Sequence, residues 1–231
     1  MGPITLGLHL KDEAGKPLIH SKPHMEVLVE YLFMQARWQS RQLAELGKPV
    51  VFFIDEPGMG GGFDPAVYGL TTFDLERWYD SFFSRLQDES VLTGIHCCGP
   101  GPWDGLFRAP AEIIHLDAFQ YLGQADIQSG DCREFLRKGG LLGWGLVPTR
   151  FSRGAFPQPA ELIVRWMEGV RLLTRMGIPP EAIRDQSFFS TACGLGMSEP
   201  AVVEEAARCL DALTTLWRVE VQGDLDEILR R

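Results

Sequence analysis

The chain has 231 residues, 45% hydrophobic and 23% charged, which is enough for a full globular core and excludes the disordered and low-complexity classes. Twenty-two Lys and Arg against 31 Asp and Glu give a formal charge of −9, which repels phosphate backbones and anionic bilayers, so neither a nucleic-acid nor a membrane partner is expected. An odd count of five cysteines, with no signal-peptide pattern in residues 1–10, points to reduced thiols and a cytoplasmic location.

In chain order, short apolar strands alternate with longer amphipathic helices. Residues 4–9 read as a strand, with a turn at 12–17. Across residues 24–46, Val27, Leu28, Tyr31, Leu32, Met34, Trp38, Leu43 and Leu46 recur at helical spacing, and Gly47 and Pro49 end the helix. Residues 50–55 are an almost continuous apolar run of the kind buried on both faces of a parallel sheet. The Gly-rich loop 58–62 comes next, and Thr71 or Thr72 caps a helix carrying Phe73, Leu75, Trp78, Phe82, Phe83 and Leu86. Further strands are read at 91–97, 113–116, 140–147 and 188–192, making six, with helices at 103–108, 127–138, 158–176 and 199–217. No segment has the composition of an interdomain linker, so residues 1–231 read as one α/β domain. Strand–helix alternation implies parallel strands, in an open doubly wound sheet or a β/α barrel. The Gly-rich loop matches neither GxGxxG nor GxxxxGK[ST] and reads as a loop over the mouth of such a sheet.

Chemistry-bearing residues gather after the strands. In Gly94-Ile95-His96-Cys97-Cys98-Gly99-Pro100, strand alternation points His96 and Cys98 to one face and Cys97 to the other. An imidazole beside a thiolate suits zinc, and Cys193, in Ser190-Thr191-Ala192-Cys193-Gly194, is placed to add a third ligand. Asp117, closing the strand 113–116, is a candidate fourth. On spacing alone the alternative stays open that these cysteines are small buried hydrophobes. His115 reads as a core histidine, Cys132 and Cys209 as structural residues of helices, and Trp103 as packing or as part of the site's mouth. The adjacent carboxylates Asp55 and Glu56 close a buried strand, where they are costly unless they face a pocket or a partner. They are candidates for holding a cationic or hydrogen-bond-donating substrate group.

Gly2-Pro3-Ile4-Thr5-Leu6, Ile54-Asp55-Glu56-Pro57, His96-x-Cys98 and Cys193-Gly194-Leu195 together resemble the uroporphyrinogen decarboxylase/methionine synthase superfamily. The resemblance is greatest to the C-terminal catalytic domain of cobalamin-independent methionine synthase and its short relatives. It implies a TIM-type (β/α)8 barrel, here apparently lacking the first two β/α units, which would precede Gly2-Pro3. It also implies a zinc ion at the mouth, held by His96, Cys98 and Cys193 with Asp117 where the family carries a glutamate. The ion would activate a homocysteine-like thiol for methylation, with Asp55 binding the substrate and Asp55 and Glu56 as the catalytic carboxylates that orient it. Gly145-Leu146-Val147-Pro148-Thr149 stands where methionine synthases carry Asp-x-His-Ser, closer to the decarboxylases and corrinoid-dependent methyltransferases. The methyl donor is therefore a folate or a methylcobalamin on a separate corrinoid protein. A metal-free decarboxylase and a non-catalytic zinc-binding subunit are the alternatives, and a second copy or another subunit would complete the barrel.

Overall fold

The computed structural model describes residues 1–101, 103–123, 127–150 and 156–218. Residues 219–231 of the expected single domain lie outside them. The elements in order are α1 (Pro3–His9), a 3-10 turn (Leu18–His20), α2 (Lys22–Ala44), β1 (Val51–Asp55), 3-10 turns at Pro57–Met59 and Pro65–Tyr68, and α3 (Thr72–Gln87). Then come β2 (Leu92–Cys97), α4 (Trp103–Arg108), β3 (Ile113–Leu116), α5 (Ala118–Tyr121), α6 (Gly130–Arg137) and β4 (Leu141–Val147). The order closes with α7 (Pro159–Arg175), α8 (Pro180–Asp185), β5 (Ser187–Thr191) and α9 (Pro200–Leu216). The strands make a five-stranded parallel sheet in the order β1-β2-β3-β4-β5, so the α/β class holds. Packing divides the chain between Ile114 and His115 into two compact units.

Two expectations are corrected in the first unit. Residues 4–9 are helical, not a strand, which leaves five strands among the described residues instead of six. Pro3 begins α1 with the fixed φ and missing N–H that suit a helix's first turn. The next two N–H groups, of Ile4 and Thr5, donate to the Glu56 carboxylate at 3.0 and 2.8 Å. A side chain some fifty positions away supplies the cap that the local sequence lacks. The second correction concerns β1. It is an edge strand of the sheet, and Val51 and Phe53 are exposed, so the apolar run is not buried on both faces.

The rest of this unit is built on α3. Thr71 is its N-cap in a capping box with Asp74, whose carboxylate accepts from the Thr71 N–H at 2.8 Å. Its buried face carries Trp78, Tyr79, Phe82, Phe83 and Leu86. Phe82 meets Phe83 edge-on at 5.1 Å and tilts against Phe52 of β1 at 6.5 Å. Helix α2 packs on α1 and α3 through Met25, Leu28, Val29, Phe33 and Ala36, and Arg85 lies 3.5 Å above the Phe33 ring. Val27, Tyr31, Met34 and Trp38, which contribute to the apolar periodicity of this helix, face solvent. The helix thus has two apolar faces, and the sequence pattern does not say which one the core takes.

In the second unit, Leu142–Val147 of β4 are all buried. Trp144 donates to Ser187 Oγ at 2.9 Å, and Trp166, Phe189 and Trp217 meet edge-on at 5.7–6.5 Å. The β4–β5 register shifts between Gly145 and Val147, and the Ala192 N–H donates to Val147 O at 2.7 Å, carrying the pairing to the residue before Cys193. A Cβ at Gly145 would lie 2.7 Å from both Ala192 Cα and Leu116 O, so only glycine lets the backbone pack this closely here. No helix among the described residues is long and apolar enough to cross a membrane.

Candidate metal centre

Strand β2 delivers two candidate ligands by alternation. In the parallel β1–β2 register Asp55 pairs with His96 and Phe53 with Gly94, and the Phe53 ring occupies the space a Gly94 Cβ would take. Phe53, Asp55 and His96 therefore share a sheet face. Cys97 points the other way into the core, where its thiol lies 3.9 Å from Gly99 O. Burial pushes that thiol up to about 12, and Cys97 is not part of the ligand group that includes His96 and Cys98. Cys98, one residue on, is half-buried.

Cys193 follows β5, where the Thr191 hydroxyl donates to Cys193 O at 2.9 Å and shapes the turn. One donor atom each from His96, Cys98 and Cys193 lie within 4.8 Å of one another. Tetrahedral zinc, with Zn–S near 2.3 Å and Zn–N near 2.0–2.1 Å, holds its ligand atoms about 3.5–3.8 Å apart, a spacing compatible with that limit. One imidazole nitrogen and two sulfurs form a soft-to-borderline donor set, and these three residues can hold a metal ion. Among the described residues no fourth His, Cys, Asp or Glu joins the group.

The remaining candidates sort themselves by geometry. Asp117 is not in the cluster. It is buried as the N-cap of α5, accepting from the Gln120 backbone and side-chain N–H groups at 2.8 Å each, and burial raises its carboxyl above the ordinary range. Asp55 is exposed at the end of β1, beside His96 in register. Glu56, its neighbour, is turned fully inward by the same alternation. It accepts from the Ile4 and Thr5 N–H groups, from Thr5 Oγ1 at 2.6 Å and from the Tyr79 hydroxyl at 3.0 Å. The two adjacent carboxylates thus have separate environments, one on the open face and one inside the core. His115 is buried, with its Nε2 bonded to Ser190 Oγ and its ring against Phe188. Trp103 is buried against Phe107, while Cys132 and Cys209 are buried on α6 and α9.

Sequence reading overlooked the support beneath Cys98. The Tyr79 hydroxyl that reaches Glu56 also lies 2.9 Å from Met59 Sδ, fixing the start of the Gly-rich loop. That loop lies against the Cys98 turn: Gly61 N–H donates to Pro100 O at 3.1 Å, and a Cβ at Gly60 would sit 3.3 Å from Gly99 Cα and 3.2 Å from Pro57 O. The only available signal was the run of glycines itself, which reports close backbone approach without saying to what. Gly60→Ala must displace the Gly99 backbone by a few tenths of an ångström, next to a ligand. Its expected effect is a several-fold weaker metal affinity in chelator competition, with the thermal midpoint down by only a few degrees.

No protein-family model matches the sequence, and no curated protein matches it.

Proposed function

We propose that this chain is a zinc-dependent methyltransferase that accepts a homocysteine-like thiol, on a partial TIM-type barrel of the uroporphyrinogen decarboxylase/methionine synthase kind. The observation that carries the reading is the group of one imidazole and two thiols, from the ends of two strands, with no fourth His, Cys, Asp or Glu joining them among the described residues. Structural zinc sites close the fourth position with a protein ligand. A zinc ion bound there would supply the Lewis acidity that keeps a substrate thiol deprotonated near neutral pH. The chain's own residues do the rest. His96, Cys98 and Cys193 would hold the ion, and the buried Cys97 remains a neutral core side chain.

Asp55 would hold the ammonium of an amino-acid thiol, a role supported by its exposure and by its position on the same sheet face as His96. Glu56, occupied by four donors, orients substrate only indirectly, by holding α1 and the Tyr79–Met59 support in place. In the transfer, a sulfur–carbon bond forms as the methyl–donor bond breaks. Gly145–Thr149 contains no acid that protonates a leaving folate nitrogen, which favours methylcobalamin on a separate corrinoid protein as donor.

The test is cobalt-substituted protein titrated with homocysteine, followed by methyl transfer from methylcobalamin and from methylfolate. The expected result is a new sulfur-to-cobalt absorption band on thiol addition and methionine formation with one donor. Metal binding without a thiol-dependent band or turnover would instead make the chain a non-catalytic zinc-binding subunit. Absence of stoichiometric metal would overturn the reading altogether.

A further inference from the structure

The second apolar face of α2 has a use independent of the metal. Val27, Tyr31, Met34 and Trp38 are 70%, 58%, 50% and 62% exposed, and their spacing of four, three and four residues is the seam of a coiled coil. Four large apolar side chains in one row on an otherwise charged surface mark an interaction site. We propose that two copies of this chain associate through α2, the helices antiparallel about a two-fold axis.

Three features select a second copy as the occupant. First, the 4-3-4 spacing reads the same in both directions, so an antiparallel copy presents a matching seam. Val27 then faces the partner's Trp38, and Tyr31 faces the partner's Met34, each layer pairing an aromatic with a smaller or more pliable side chain. The open, mainly apolar hollow bordered by Pro23, Glu26, Val27, Glu30 and Tyr31 receives the partner's Trp38.

Secondly, the charges beside the seam run in order along the helix. Glu26 and Glu30 border its first half, where they pair with Arg77 and Arg85 of α3, and Arg37 and Arg41 border its second half, where they pair with Glu89. Antiparallel helices bring Glu30 beside the partner's Arg37, giving an alternating row of four charges with Arg85 and the partner's Glu89. A parallel pair would put Glu30 and the partner's Arg37 on opposite flanks of the seam and lose this pairing. Thirdly, the exposed surface of the four side chains on both copies, about 1,000 Å2 in all, reaches the lower limit of a specific interface, the size of a reversible dimer.

The full-length, metal-loaded chain should move from monomer to dimer in sedimentation experiments between about 1 and 200 μM. Trp38→Glu and Tyr31→Glu should each raise the dissociation constant about 30-fold or more, with the thermal midpoint unchanged at concentrations where the parent is monomeric, because both sites are exposed in the single chain. Under mild oxidation, a mixture of Tyr31→Cys and Met34→Cys chains should form a cross-link above the wild-type background that neither variant forms alone. A monomer at every concentration would overturn the proposal and leave the face to a different partner. It would also be overturned by a dimer indifferent to Trp38→Glu, or by Tyr31→Cys chains that cross-link equally well by themselves.

Discussion

Cys98→Ala and Cys193→Ala chains are expected to lose more than 99% of the metal affinity of the parent, while Cys97→Ala keeps it. Four-ligand zinc sites bind with about 10–16 kcal/mol, so each protein ligand carries about 3 kcal/mol or more, a factor of over 100. The adjacent pair makes the comparison informative. Cys97 and Cys98 are neighbours in sequence, but alternation sends Cys97 into the core, with its thiol pushed up to about 12, and leaves Cys98 half-buried with His96 and Cys193. Elemental analysis of zinc per chain, with chelator competition for affinity, separates the three variants. Equal losses in all three would mean that the cysteines matter through packing and not as ligands. A Cys193→Ala chain with full affinity would remove the third ligand from the site.

Glu56→Ala is expected to be the most destabilising single change, at about 3–5 kcal/mol, because it strands the Tyr79 hydroxyl and the first N–H groups of α1 in a dry interior. Glu56→Gln keeps the volume but turns an NH2 group toward donors, and should cost about 1–3 kcal/mol. The pH dependence gives a sharper test. Burial raises the Glu56 carboxyl above its ordinary 4.5, outweighing the hydrogen bonds from Thr5, Ile4 and Tyr79 that pull it down. With the folded value above the unfolded one, the folded chain holds the extra proton. This contribution is complete below pH 4.5 and is lost as pH rises through the folded value. The stability gap between the parent and Glu56→Gln should therefore be widest in acid and narrow above pH 4.5, read from denaturant midpoints over a pH series. A gap that widens with pH would show that the four donors keep the carboxylate ionised after all.

Both predictions start at the end of a strand, which is where sequence reading is strongest. Period-two alternation is a local property of the backbone, so the opposite fates of Cys97 and Cys98 were legible before any contact was known. The α/β class, the strands at β2 through β5 and the major helices follow from the same kind of local pattern. A threonine cap for α3 was legible too, as Thr71 or Thr72, and the structure selects Thr71, whose partner Asp74 is three residues away.

What the local pattern left open depended on groups far off in the chain. Residues 4–9 are apolar enough for a strand, and only the Glu56 carboxylate, by accepting the Ile4 and Thr5 N–H groups, satisfies the first turn of a helix there. In α2, two apolar faces satisfy the helical period equally. The core takes the one that meets α1 and α3, and the other is left in solvent. His96-x-Cys98 offers two candidate ligands, but the approach of Cys193 to within 4.8 Å comes from folding, across nearly a hundred intervening residues. Alone, the sequence determined the periodicities, and with them which neighbours share a face. Tertiary structure decided which faces are buried and which distant donors meet, because burial and hydrogen-bond satisfaction depend on the partner a segment finds and not on the segment itself.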